Sequence, residues 1–296
     1  MKCIDIASYL QEKCFEVEQR LEFLLPEKNT PYNHLFPAAR YSVLGGGKRL
    51  RPLLTLAAAE AFGESSFKAL NAACAIEMVH TYSLIHDDLP CMDDDDYRRG
   101  KLTLHKAFDE AHAVLAGDFL LTYAFEIIAE DSSLRPDQKI ALIHLLAKNS
   151  GDKGMIAGQV MDIESEGRTI DINTLNTIHH LKTGAMISAA VEFGGIIADA
   201  SPDKLLILRH FGADIGLAFQ IVDDILDVSA SIEKHGRITP SDESNHKTTY
   251  VTLLGLEAAE QKAQALLEQA QEHLSRLEVD SSILEAIAQR LVCRYK

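Results

Sequence analysis

The stretch LLILRHFGADIGLAFQIVDDILDV (residues 205–228) is almost wholly apolar until three aspartates, Asp223, Asp224 and Asp227, close it. The pattern predicts a central buried helix with an acidic end. On a helix, Asp223 and Asp227 are four apart and share a face. Gln220 precedes Asp223 by three on that face, and Asp224 follows Gln220 by four. Carboxylates gathered at the end of a buried helix are costly unless they are paired or coordinate a metal. A solvated helix end is the alternative.

The same helical period recurs along the chain. In FKALNAACAIEMVHTYSLIHDD the apolar residues fall at 69, 72, 73, 76, 79 and 84, spaced by threes and fours. Similar patterns occupy about 4–25, 104–129, 137–150, 172–198 and 257–277, with boundaries good to a few residues. No set of alternating strand segments lies between them. Pro26, Pro31, Pro37, Pro136, Pro202 and Pro240 are expected to punctuate the helices. With no repeat and no linker, residues 1–296 read as one all-α domain of roughly ten or more helices.

Charge and cysteine usage restrict the partners. A net charge of −15 argues against broad nucleic-acid or acidic-membrane binding, which needs a basic face. An anionic substrate must then be met by a few placed cations or by bound metal. The five cysteines form no CxxC pair, which fits reduced thiols in a cytoplasmic protein better than a disulfide framework or a zinc site. Asp5 and Glu12 do not suit a signal peptide. Glu77, Asp118 and Glu192 interrupt the best apolar runs, so no membrane span is expected.

The segment HDDLPCMDDDDYRRGK (86–101) holds six aspartates in ten positions, followed by Arg98 and Arg99. Asp87 and Asp88 close the helix that begins near residue 68, and Pro90 ends it. The pattern is DDxxxxD, and a turn around Pro90 must bring Asp93 back toward Asp87. Ser83 and His80 precede Asp87 by one and two turns. Taken alone, the run reads more readily as a solvated acidic loop than as a cation site. Together with Asp223, Asp224 and Asp227 it suits Mg²⁺, which takes one or two carboxylates and completes its shell with water and substrate phosphates.

Three other segments are weaker alone. GGGKRLRP (45–52) sets Lys48, Arg49 and Arg51 between three glycines and a proline suited to a first helical turn. It does not match the P-loop pattern, and a solvated basic turn explains it equally well. GQVMD (158–162) puts Gln159 and Asp162 at i, i+3. HHLKTG (179–184) offers Lys182 and Thr183 within a long helix. His80, His179 and His180 read first as satisfied core histidines.

In order, GGGKRLRP, LIHDDLPCMDDDDYRRGK, GQVMD, HHLKTGAMI, FQIVDDILD and HKTTY resemble the bacterial short-chain trans-prenyltransferases of the polyprenyl synthase family, in particular the farnesyl diphosphate synthases with DDxxxxD. The resemblance covers nearly the whole chain. It implies the all-α isoprenoid synthase fold, a homodimer, and three Mg²⁺ ions held between the two acidic motifs and an allylic diphosphate. Carried over, Asp87, Asp93 and Asp223 are the main Mg²⁺ ligands. Asp88, Asp224 and Asp227 are further ligands or hold bound water. Arg98, Lys182, Gln220, Arg237 and Lys247 meet the allylic diphosphate. Lys48, Arg51, His80 and Arg99 meet isopentenyl diphosphate, while Gln159, Thr183 and Phe219 line the reacting pocket. Arg98, Lys182, Thr183 and Gln220 carry the catalytic roles. One segment departs from the family pattern: HGRITPSD (235–242) has Arg237 for a lysine and Pro240 for a glycine.

The implied reaction is head-to-tail condensation of isopentenyl diphosphate with dimethylallyl or geranyl diphosphate through an allylic cation. Chain length follows from helix geometry. Ser83 and Tyr82, four and five residues before Asp87, lie roughly 6–7.5 Å down the helix axis. A tyrosine there can floor the pocket near fifteen carbons, where a smaller residue would allow the twenty of a geranylgeranyl product. A cyclase of the same fold, a non-catalytic helical regulatory subunit and an acidic scaffold protein are the competing readings. The basic GGGKRLRP and the two complete acidic motifs weigh against them.

Overall fold

The computed structural model describes residues 5–27, 31–235 and 248–293, the side chains of 229–235 excepted. The described residues are helical apart from one two-stranded hairpin, and they form two compact units, 1–143 and 144–296.

The first unit holds α1 (Ile6–Leu24), α2 (Leu35–Val43), α3 (Leu50–Ala61), α4 (Ser66–Asp87), strands β1 (Tyr97–Arg98) and β2 (Lys101–Leu102), α5 (Leu104–Ala107) and α6 (Glu110–Glu130). Helix α4 is its centre and packs against α1, α2, α3 and α6. Its composition explains that position. Ala69, Ala72, Ala73, Cys74 and Ala75 are all fully buried, and small side chains let neighbours approach from every side. Ser65 caps its start by accepting from the Phe67 N–H, and the chain turns away at Leu89-Pro90.

The second unit holds α8 (Met155–Ser165), α9 (Ile172–His179), a π-helical turn (His180–Gly184), α10 (Ala185–Ile197), α11 (Pro202–His235), α12 (Tyr250–Leu254), α13 (Leu256–Ser275) and α14 (Ser282–Val292). Between α6 and α8 runs α7 (Pro136–Ser150). Helix α11 packs on α9, α10, α12, α13, α14 and the π turn. It is central, as its sequence predicts, but not buried all round. Leu208, Phe211, Ile215, Ala218, Val222 and Ile225 form the buried stripe, while Leu206 stands exposed. Gly212 and Gly216 bring the backbones together: a Cβ on Gly216 would lie 2.7 Å from Gly184 Cα.

Several expectations are corrected. The helical run at 104–129 is two helices, because Asp109 accepts from the His112 N–H and starts α6 afresh. The run at 172–198 contains a π turn, in which the Ala185 N–H donates five residues back to His180. Pro37 lies inside the first turn of α2, where its missing N–H is not needed. The short hairpin was not anticipated; Arg99 and Gly100 turn it with positive φ. Two helices, Glu110–Glu130 and Pro202–Val228, are long and apolar enough to cross a membrane, where none was expected. An isolated Asp118 does not cancel the hydropathy of a whole helix. Both helices pack within their units, as core helices do.

Burying charge in the first unit requires pairing. The side chain of Arg49 is inaccessible to solvent and that of Glu77 nearly so, and they meet at 3.1 Å. Arg49 also donates to the Val43 carbonyl at 2.7 Å, and Glu18 stands 3.7 Å away. Removing one partner leaves the other charged and dry. Glu77→Ala should cost about 3–5 kcal/mol in urea unfolding, and the double variant with Arg49→Met should recover much of that loss.

Candidate active site

The first acidic motif is built at the C-terminal end of α4. Its chain wraps back so that the Asp93 N–H donates to the Asp87 carbonyl at 2.8 Å, and the Asp94 N–H to Leu89 at 3.1 Å. Asp94 takes a positive φ to make the turn. Asp87 and Asp93 are thereby brought to one end of α4, as the sequence requires. Asp88 has a different setting. It is buried and accepts from Arg98 Nε at 2.6 Å, and burial raises its pKa despite that guanidinium. Asp95 and Asp96 anchor the loop: Thr103 donates to the Asp95 carbonyl at 2.7 Å, and Lys106 pairs with the Asp96 carboxylate at 2.8 Å.

The glycine-rich turn lies against this loop. Arg99 donates to the Gly46 carbonyl, and a Cβ on Gly47 would fall 2.6 Å from its guanidinium. That crowding, with a positive φ at Gly46 and Gly47, is why the turn is written in glycine. Lys48 is exposed, whereas Arg51 is buried and its Nε has no partner among the described residues. Burial lowers the Arg51 pKa to about 10, so it stays charged at neutral pH. His80 sits among these cations. Burial first, then Arg51, Arg99, Arg98 and Arg49, hold it neutral, well below the usual histidine range. Such a cluster has the chemistry of an anion site. Tyr82, just beyond, is buried, and burial and then Asp87 raise its phenol to about 12. Ser83 is half-buried and donates to the His80 carbonyl at 2.9 Å.

In the second unit Lys182 and Asp162, from two motifs that were weak singly, form an ion pair at 2.7 Å. A Cβ on Gly158 would collide with the Lys182 backbone, so the glycine is what lets α8 press on the π turn. Thr183 is buried in the π turn beside Lys182, and the Gln159 Oε1 is buried without a partner among the described residues. On α11, Gln220, Asp223 and Asp224 are half-buried and Asp227 is exposed. Phe219 is half-buried as well. Asp224 accepts from the Tyr250 N–H at 2.8 Å and so ties the end of HKTTY to α11. Arg237, Pro240 and Lys247 lie outside the described residues.

Among the described residues, no three His, Cys, Asp or Glu side chains stand together as a ready-made metal cage. Mg²⁺ keeps several waters and takes only one or two carboxylates, with phosphate oxygens supplied by substrate. The paired aspartates at the end of α4 and on α11 are donor sets of that kind.

Sequence reasoning read Glu77 only as a break in an apolar run and left Arg49 without a partner, because the pair spans 28 residues of chain and no local pattern joins them. It also missed what Gly158 and Gly216 do. Small residues at a helix crossing were the available signal.

The chain matches the Polyprenyl synthetase family over residues 33–287. It is 46% identical to the farnesyl diphosphate synthase of Geobacillus stearothermophilus, over 99% of each chain. It is also 46% identical to the geranylgeranyl pyrophosphate synthase of Capsicum annuum, over 90% of this chain and 72% of that one. A solved geranyltransferase from Helicobacter pylori, complexed with magnesium and isoprenyl diphosphate, superposes with a TM-score of 0.83 at 34% identity, covering 100% of this chain and 99% of that one. An all-α fold with two aspartate-rich motifs and a basic glycine turn defines a prenyltransferase. This chain belongs to the Polyprenyl synthetase family.

The cationic surroundings of His80 make a pH prediction. The folded protein keeps His80 neutral, while the unfolded chain takes up a proton as pH falls through about 6.5. Stability from this site is therefore full above pH 6.5 and is lost as pH falls below it, at up to about 1.4 kcal/mol per pH unit. Unfolding free energies measured from pH 7.5 to 5 should fall more steeply for the parent than for His80→Asn.

Proposed function

We propose that this prenyltransferase condenses isopentenyl diphosphate with dimethylallyl and then geranyl diphosphate, and stops at farnesyl diphosphate. Identity alone does not choose the product, since a farnesyl and a geranylgeranyl synthase both match at 46%, the latter over less of each chain. The observation that carries the fifteen-carbon reading is Tyr82: a large, buried ring five residues before Asp87 on α4, where the growing chain would run.

In the first unit, Asp87 and Asp93 would hold Mg²⁺, and Asp88 keeps Arg98 aimed at the allylic diphosphate. Lys48, Arg51 and Arg99 bind isopentenyl diphosphate beside neutral His80. In the second unit, Asp223 and Asp227 would hold Mg²⁺, while Asp224 fixes the segment that begins α12. Lys182 and Gln220 bind the allylic diphosphate, with Arg237 and Lys247 serving the same group. Mg²⁺, three ions by family resemblance, would supply Lewis-acid neutralisation of the diphosphate when held by these carboxylates.

The chain's own cations do the rest of the electrostatics. Arg98 and Lys182 stabilise negative charge that grows as the allylic C–O bond breaks. The resulting cation is attacked by the double bond of isopentenyl diphosphate. A proton is then lost to the departing diphosphate, so no side chain need act as nucleophile. Thr183 and Lys182 present dipoles, and Phe219 a ring face, toward the cation. Apolar walls keep water from quenching it. We assign residues 1–296 to one synthase domain acting as a cytoplasmic homodimer.

Purified protein given geranyl and isopentenyl diphosphates should release diphosphate with Mg²⁺ and stop when the metal is chelated; no release with Mg²⁺ present rejects the reading. Chromatography of the dephosphorylated products should give a fifteen-carbon alcohol. Tyr82→Ala should shift the product toward twenty carbons, and Asp93→Ala should lower turnover by at least about 100-fold, as losing one main electrostatic contributor does.

A further inference from the structure

Tyr82 does not stand alone. Its ring meets that of His86 edge to face, with centroids 5.7 Å apart and planes at 81°. The two residues are one turn apart on α4, so they share a face. The tyrosine hydroxyl is buried without a hydrogen-bond partner among the described residues. Among the described residues no polar contact therefore fixes the ring tip, and the edge-to-face contact with the imidazole is a specific restraint on its position.

His86 is itself fixed from the neighbouring helix. Its Nε2 lies 3.1 Å from the carbonyl oxygen of Val114 on α6. A carbonyl only accepts, so Nε2 carries the proton and donates. The ring can reach that carbonyl because position 117, one turn further along α6, is glycine; a Cβ there would collide with the imidazole. The obstacle would be a side-chain ring and not backbone, so a Cβ would displace His86 without breaking the helix.

We infer that Gly117, the Val114 carbonyl and His86 form a packing relay that positions Tyr82 and thereby sets where chain growth stops. This rests on the reading of Tyr82 as the pocket floor. His86 and Gly117 are specificity-positioning residues: neither need touch the substrate, and both act through the orientation of one ring.

The test is the ratio of twenty- to fifteen-carbon product made by the purified, folded enzyme, for the parent and for Tyr82→Ala, His86→Ala, His86→Gln and Gly117→Ala. His86→Ala frees the tyrosine ring, and the ratio should rise roughly 2- to 10-fold, the size set by losing one aromatic edge contact. Gly117→Ala drives the imidazole off Val114 with every other group in place, and should move the ratio in the same sense. His86→Gln, which can still donate to Val114, should return it toward the parent's value. A merely structural role would change yield or melting temperature and leave the ratio alone. If Tyr82→Ala lengthens the product while folded His86→Ala and Gly117→Ala keep the parent ratio, the relay is wrong and the floor stands. If Tyr82→Ala also keeps the parent ratio, both fall. Should His86→Ala not fold, Gly117→Ala and His86→Gln decide.

Discussion

The buried pair between Arg49 and Glu77 ties the two working parts of the first unit together. Arg49 is the residue that starts α3, in a left-handed conformation directly after the glycine turn, and Glu77 is midway along α4. Holding one against the other sets the basic turn beside the helix whose end carries the acidic motif. A charge pair without access to water tolerates little misplacement, because any gap leaves two poorly solvated charges. The positions of Arg51, Arg99 and His80 follow from that alignment, and so does the field that keeps His80 neutral.

Glycine does comparable work in the second unit by absence. Gly158, Gly212 and Gly216 lie where backbones cross too closely for a Cβ. Close crossing brings α8, the π turn and α11 together, and with them Lys182, Thr183 and Gln159. The chemistry-bearing side chains sit on regular elements and not on long loops, which favours a fixed geometry. The acidic turn after α4 is the exception, and it is braced by Thr103, Lys106 and Arg98.

Much of this was legible from the chain alone. The 3.6-residue period gave α4, α6, α11 and α13 because each buries a face or is buried all round, and burial writes itself into spacing. Pro90 and the DDxxxxD pattern foretold the fold-back that the Asp93–Asp87 hydrogen bond makes. Other features had no such signature. Arg49 and Glu77 meet only in three dimensions. Asp109 reads as one more polar residue until its side chain is seen capping α6. Two-residue strands are too short to alternate. His86, next to an aspartate in a run of charge, looks like part of that run and not like a wedge against a neighbouring helix.

The π turn at His180–Gly184 has a consequence of its own. One surplus residue in a helix advances everything after it by about 100° about the axis. Helices α9 and α10 thus present their apolar stripes in different phases although the chain runs on without a break. Leu175 and Ile178 bury the earlier phase, and the almost wholly buried α10 the later one. Lys182 and Thr183 occupy the seam between them. Their azimuth is set by the surplus residue and by neither stripe, so the packing on either side can drift in sequence while the direction in which these two side chains point is preserved.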